Sequence, residues 1–167
     1  GMVMEALPVI STIESVLKSS KSKSNHSLIR ANKRMVKIVI FSPSGKQFTN
    51  DYAKKTVQKY NDVILVCGRY EGIDARVKKV FKVEEVSVGP YILTGGELPA
   101  MIIADAVSRQ VPGVLGNLDS LEERRVSTGE VYTRPEVFTY KKKSYRVPKI
   151  LLSGHQAKIE EWKKGRK

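Results

Sequence analysis

The stretch VILVCGRYEGIDARVKKVFKVEEVSVGPYILTGGELPAMIIADAVSRQ, Val63 to Gln110, decides the fold class. It opens on Val63–Cys67, an apolar, β-branched run too short for a helix, which reads as a buried strand running into Gly68. Asp74–Phe81 reads as a short helix. Val83–Val88 (VEEVSV) alternates in polarity and ends at Gly89, which gives a second strand. Gly95–Gly96 then precedes a strong helix, Leu98–Gln110, expected to turn Met101, Ile102, Ala106 and Val107 inward. Pro112–Gly113 stops it. Parallel strands need a crossover between them, so this order points to an α/β domain.

The same alternation continues outward. Val36–Phe41 (VKIVIF), bounded by Ser42–Pro43–Ser44–Gly45, reads as strand then turn, and Asn50–Tyr60 as a helix. Val9–Lys18 places Ile10, Ile13, Val16 and Leu17 at helical spacing, and Ser11 and Glu14 have the spacing of a capping box. Lys18–Arg34 is polar and basic without an apolar face, and reads as a loop or helix tail. Downstream, Leu115–Val131 is polar and poorly periodic, a flexible linker. Val147–Leu152 is expected to be a final strand and Gln156–Trp162 a short terminal helix. The expected architecture is α/β, with a mainly parallel sheet and helices on both faces. In such sheets ligands sit at the carboxyl ends of the strands. Here those ends carry Ser42–Gly45, Gly68–Gly72 and Gly89–Gly96, and three glycine-bearing loops together form a coherent site.

With 167 residues, 41% hydrophobic and 28% charged, the composition is that of a globular domain with a real core. No apolar run is long enough to span a membrane, and no secretory signal is visible. One cysteine, Cys67, excludes an internal disulfide and fits a reducing compartment. With only two histidines beside it, a structural zinc site is not expected. The net charge is +13. Seven basic residues and no acid lie in Lys18–Lys37, and ten basic residues against Glu160 and Glu161 lie in Thr139–Lys167. A near-neutral body with two basic segments suits a polyanion, nucleic acid first; a solvated lysine-rich surface is the plainer alternative.

Individual residues carry less. Gly68–Gly72 (GRYEG) lacks the order of a dinucleotide fingerprint, and there is no P-loop. His26 and His155 stand far apart in polar loops and make no triad. Cys67 reads as a packed thiol. Gly95–Gly96–Glu97 can be a tight turn with a charge at a helix start, or a place where backbone approaches a ligand. Arg109 can simply stabilise a helix C-terminus. Tyr132–Thr133–Arg134–Pro135 can be an extended anchor.

Five ordered motifs change that balance: GRYEGID (Gly68–Asp74), VSVGPYILTGGELPAM (Val86–Met101), VPGVLGN (Val111–Asn117), YTRPEVF (Tyr132–Phe138) and VPKILLSGHQAKIEEWK (Val147–Lys163). Together they closely resemble the bacterial tRNA (guanine-N1)-methyltransferases of the TrmD family, in the SPOUT class of α/β methyltransferases with a deep C-terminal trefoil knot. The GMVM of Gly1–Met4 and the FSPSGKQFT of Phe41–Thr49 extend the match. The resemblance implies methyl transfer from S-adenosylmethionine to N1 of the guanine 3′ of the tRNA anticodon, in a cytoplasmic homodimer whose active site lies at the subunit interface. It places the donor against Phe41, Ser42, Pro43, Gly68, Tyr70, Glu71, Ser87, Val88, Gly89, Pro90, Tyr91, Ile92, Leu93, Gly95, Gly96 and Pro99. A Cβ at the glycines would then occupy the donor's space. Arg109 matches the family's catalytic arginine.

The implied domains are 1–117, the core with the knot loops; 118–131, a flexible linker; and 132–167, an anchor strand with a short helix. The family has a further segment before the position matching Gly1 and a helical tRNA-gripping domain after the one matching Lys167. Its usual base is an aspartate at the position of Arg124, and the aspartate usual before its tyrosine is Pro90 here. The linker carboxylates Asp119, Glu122, Glu123 and Glu130 are the remaining bases, and Glu130, two residues before the YTRP anchor, is the expected one. The alternative function is a truncated or degenerate relative that binds donor or RNA without turnover. A SPOUT enzyme acting on another RNA is disfavoured by the YTRPEVF and SVGPYILTGGELPAM motifs. No residue is assigned as a metal ligand, and the sequence leaves open whether a metal aids removal of the N1 proton.

Overall fold

The structure, a computed structural model, describes residues 2–22, 34–115 and 130–165. The chain divides into two compact units, Gly1–Val114 and Leu115–Lys167.

In the first unit β1 (Val36–Gln47) lies between β2 (Asp62–Val66) and β3 (Val83–Ser87), and both neighbours run parallel to it. Val36 faces Asp62 across one ladder and Ile38 faces Val83 across the other. Alternation along β1 builds two cores. Ile38 and Ile40 pack with Val9 and Ile13 of α1 (Ala6–Ser22) and with Val77 of α3 (Val77–Val80). Val39 points the other way, onto Tyr52 of α2 (Asn50–Lys59), Val86 of β3 and Ile103 of α4 (Glu97–Ser108). Full burial of each such side chain contributes about 1.5–3 kcal/mol, which fixes the helices on both faces. The one charge on β1 that is buried, Lys37, ion-pairs with Glu84 of β3 and lies 4.5 and 4.9 Å from the ring centres of Tyr52 and Tyr60.

The helices and strands stand where expected, with four corrections. First, α1 begins at Ala6, a turn before the expected capping box, so Ser11 and Glu14 are exposed mid-helix residues. Pro8 is tolerated in a first turn, and the packing of Val9 and Ile13 decides the start. Second, β1 does not end at Phe41. Phe41 and Lys46 both stand opposite Val86, so residues 42–45 are extruded as a bulge and the strand resumes. The bulge closes flush on β3, because a Cβ on Gly45 would stand 2.6 Å from the Val86 backbone nitrogen.

Third, the inward face of α4 is Pro99, Ile103 and Val107, not Met101 and Ile102, which are exposed together with Leu98. Ala106, also expected inward, is half-buried. The helix is apolar around most of its girth, so its period does not fix its phase. Fourth, Val147–Leu152 is not a strand. In the second unit β4 (Val137–Tyr140) and β5 (Lys143–Arg146) form an antiparallel hairpin. Val147 extends the ladder by one bond, its N–H donating to the Glu136 carbonyl at 2.9 Å. Pro148 then offers no N–H, and Lys149–Leu152 turns into a 3₁₀ helix before α5 (Gln156–Lys164). The linker expected over 118–131 lies, except for Glu130 and Val131, outside the described residues. No described helix is long and apolar enough to cross a membrane.

Candidate active site

The carboxyl ends of the three parallel strands surround a cleft of about 470 Å³ in the first unit. Every residue that the resemblance places against the donor lines it except Pro90, which is exposed within the same loop. Three loops make the walls. The β1 bulge supplies Phe41, Ser42 and Pro43. The loop Gly68–Gly72 follows β2, with Tyr70 in the left-handed region at φ 61°. That costly backbone is held by the N-terminal segment. Met4 N–H donates to the Gly72 carbonyl at 2.9 Å, Asp74 N–H to the Met4 carbonyl at 3.0 Å, and Glu71 N–H to the Met2 carbonyl at 3.0 Å.

The third loop, 88–96, is tied at both ends. The Ser87 hydroxyl donates to the Gly89 carbonyl at 2.9 Å, and Tyr91 OH donates to the Val88 carbonyl at 3.2 Å. At its far end Gly96 N–H donates to the Gly68 carbonyl at 2.9 Å, which joins the second and third loops. α4 then starts at the cleft, with Pro99 in its lining.

Several of these glycines also pack closely against the protein itself. A Cβ on Gly96 would stand 2.6 Å from Cys67 Cα and 2.9 Å from Gly68 N, so this glycine permits chain to lie on chain. A Cβ on Gly89 would meet the Tyr91 ring, and one on Gly95 would meet the side chains of Glu97 and Arg69. At Gly96 the close approach is loop backbone against loop backbone, whereas at Gly89 and Gly95 it is to side chains.

A charged wall was not expected from the sequence. Arg69, Asp74, Lys78 and Glu85 also line the cleft. Arg69 pairs with Glu97 at 2.8 Å, Lys78 with Glu85 at 3.0 Å and Asp74 with Arg76 at 2.6 Å; the lining itself carries Glu71, Asp74 and Glu85 against Arg69 and Lys78, a surplus of one carboxylate. Asp74 sits inside the GRYEGID motif, so its position was signalled; Lys78 and Glu85 arrive only through the packing of α3 and the parallel register of β3. Cys67 is half-buried at the end of β2, and burial pushes its thiol above the ordinary value, with the Glu97 charge adding to the effect. Among the described residues no three His, Cys, Asp or Glu side chains group as metal ligands.

Asp74 is held well below the usual carboxylate range, at about 2, by hydrogen bonds from the Arg76 guanidinium and then from the Arg76 N–H at 2.8 Å. A depressed carboxylate stabilises the fold above its unfolded pKa, ordinarily 3.8, and that stability is lost as pH falls through about 2. Asp74→Asn is therefore expected to be less stable than the natural protein at neutral pH, with the gap closing between about pH 4 and pH 2. Urea unfolding at a series of pH values checks this; a gap that stays constant into acid refutes it.

Neither Arg109 nor Glu130 is among the residues that line the cleft. Arg109 stands beyond the last turn of α4, about 20 Å along the helix from Gly96 at 1.5 Å per residue, and does not line the cleft. Glu130 belongs to the second unit, where Tyr132 OH donates to its Oε2 at 2.8 Å. Asp119, Glu122, Glu123 and Arg124 lie outside the described residues.

Comparison with known proteins gives this geometry its context. The chain is 42% identical to a tRNA (guanine-N(1)-)-methyltransferase of Alkaliphilus oremlandii over 168 residues, 98% of this chain and 63% of the relative. It is 44% identical to the protein of that name from Desulforamulus reducens over 132 residues, 77% of this chain and 50% of the relative. With the one from Thermomicrobium roseum it shares 42% over 168 residues, 98% of this chain and 56% of the relative. The chain thus spans between half and two thirds of the length of these relatives. The profile of the tRNA (Guanine-1)-methyltransferase TrmD family matches residues 1–167, and the chain belongs to that family.

Proposed function

We propose that the protein transfers a methyl group from S-adenosylmethionine to N1 of guanine in tRNA, at the position 3′ of the anticodon, and that the cleft holds the donor. One observation carries this reading: the loops that bear the family's motifs converge on a single cleft at the strand ends. The lining fits the donor's chemistry. Phe41, Pro43, Ile92 and Leu93 offer apolar surface to an adenine and a thioether chain. The surplus of carboxylate over ammonium and guanidinium suits a sulfonium and an amino group, and Glu71 and Asp74 are acceptors for ribose hydroxyls. Bound there, S-adenosylmethionine supplies an electrophilic methyl group on a sulfonium.

The chain's own residues have two tasks. Guanine N1 carries a proton at neutral pH, and a carboxylate within hydrogen-bond reach must take it. Glu130, oriented by Tyr132 OH, is the proposed base. Loss of that proton spreads negative charge onto O6, and the Arg109 guanidinium is the proposed group that stabilises it. Within one chain Arg109 is a helix length from the cleft. A second copy brings its own arginine there, so the working form in this reading is a homodimer. The exposed apolar face of α4, Leu98, Met101 and Ile102, supplies a surface for that contact. The trefoil-knotted path of the loops, the cytoplasmic setting and the linker between residues 118 and 131 belong to the same reading.

Calorimetric titration of the chain with S-adenosylmethionine, or with its demethylated product, tests it. Saturable one-site binding is expected, lost in a variant with Ile92→Glu and Leu93→Glu in the third loop. A folded sample that binds neither molecule at millimolar concentration refutes the assignment of the cleft.

A further inference from the structure

The hairpin VFTYKKKSYR, Val137–Arg146, belongs to the second unit, while the residues lining the cleft belong to the first. It carries three aromatic residues, four basic ones and no acid. Phe138 stands directly opposite Tyr145, and Tyr140 directly opposite Lys143. Side chains two apart on a strand share a face, so Phe138, Tyr140, Tyr145 and Lys143 lie together. The Phe138 and Tyr145 rings stack, with centroids 5.1 Å apart and planes 14° from parallel. Such a face normally packs on a core. Here the three aromatics keep 55%, 59% and 42% of their surface in solvent.

The lysines are set around those rings. Lys141 Nζ stands 5.4 Å from the Tyr140 ring centre and Lys143 Nζ 5.5 Å from that of Tyr145. The two-residue turn is Lys141–Lys142, at φ 45° and 63°. These are the left-handed conformations of a type I′ turn, which asparagine and glycine adopt most readily. Two lysines held there keep charge at a tip whose backbone favours other residues, and strain retained in this way marks a functional position.

We infer that the β4–β5 hairpin is an RNA-gripping element that stacks unpaired bases on Phe138, Tyr140 and Tyr145 while Lys141, Lys142 and Lys143 hold the phosphates beside them. Charge complementarity selects the partner: an acid-free basic rim around exposed rings matches a strand that offers both phosphate and base faces. A paired helix keeps its bases stacked inside and has only phosphates to give. The inference rests on the reading of the protein as a tRNA enzyme for its biological substrate, but the hairpin's binding is measured separately from the cleft.

The test is fluorescence anisotropy of the full chain with a labelled stem–loop RNA and with a fully paired RNA duplex of equal length, as salt is varied. The natural protein is expected to prefer the stem–loop. Phe138→Ala with Tyr145→Ala should lose on the order of 30-fold in stem–loop affinity with little change for the duplex, and Phe138→Trp with Tyr145→Trp should retain it. Lys141→Asn with Lys142→Gly relaxes the turn and removes two charges, so the hairpin persists while the log–log salt slope falls by about 1.4 for single-stranded contacts.

Equal affinity for duplex and stem–loop, or an unchanged slope, overturns the inference and leaves a solvated basic face. Dissociation of a dimer in the alanine variant, with RNA affinity intact, overturns it in favour of a second copy of the chain on this face. RNA binding as described by a protein that does not bind S-adenosylmethionine supports the hairpin while the cleft assignment fails.

Discussion

Gly96→Ala is expected to lower the thermal unfolding midpoint by about 10 °C and to abolish donor binding, whereas Gly95→Ala leaves both near their natural values. The two glycines are adjacent, and a sequence gives no reason to separate them. The structure does. At Gly96 the added carbon would stand 2.6 Å from Cys67 Cα, 2.9 Å from Gly68 N and 3.1 Å from the Cys67 carbonyl carbon. All three are backbone atoms at the end of a strand hydrogen-bonded to β1, so nothing can swing aside. Either the third loop lifts off the second, breaking the Gly96 N–H bond to the Gly68 carbonyl, or β2 shifts. Overpacking of this kind costs about 3 kcal/mol, which in a domain of this size is about 10 °C. At Gly95 the same carbon would meet Glu97 Oε2 at 2.4 Å and the Arg69 side chain at 3.0 Å. These are the free ends of an exposed ion pair, which re-forms at small cost. Differential scanning calorimetry with and without S-adenosylmethionine separates the cases. Equal destabilisation by the two substitutions contradicts the account of the loop junction.

That contrast marks how far the sequence could be read. Strand and helix positions in the first unit were legible because Val36–Phe41 and Val63–Cys67 are short apolar runs and Val83–Val88 alternates in polarity, each ending at a glycine-bearing loop, and such segments have few other readings. The place of the cleft at the strand ends followed from the fold class. What was not legible depended on neighbours. The bulge at 42–45 reads as a terminating turn until β3 is seen to pair with both of its sides. The phase of α4 is hidden because Met101 and Ile102 are as apolar as Ile103, and only the position of α2 and the sheet selects which is buried. The β4–β5 hairpin was missed because Lys141–Lys142 lacks the asparagine and glycine that ordinarily announce a type I′ turn. Lys78 and Glu85 joined the cleft through tertiary register, which no local pattern encodes.

In single-turnover methylation of a guanine-bearing tRNA by the complete protein, Glu130→Gln is expected to lose on the order of 10²-fold in rate and Arg109→Ala 10²- to 10³-fold, both with donor binding intact. The two losses have different origins. Glutamine keeps the size of Glu130 and can still accept from Tyr132 OH, but it cannot take the N1 proton. Alanine at 109 removes the cation that would face the charge developing on O6, while Arg109 does not line the cleft of its own chain. Titration with S-adenosylmethionine should therefore give natural affinity for both variants. Their pH dependence should also differ. Raising the pH deprotonates guanine N1 without help from the protein, so the Glu130→Gln defect should shrink in alkali while the Arg109→Ala defect persists. Near-full rate in Glu130→Gln beside a large loss in Arg109→Ala would move the base to another carboxylate. An absence of methylation by the natural complete protein would remove the proposed activity altogether.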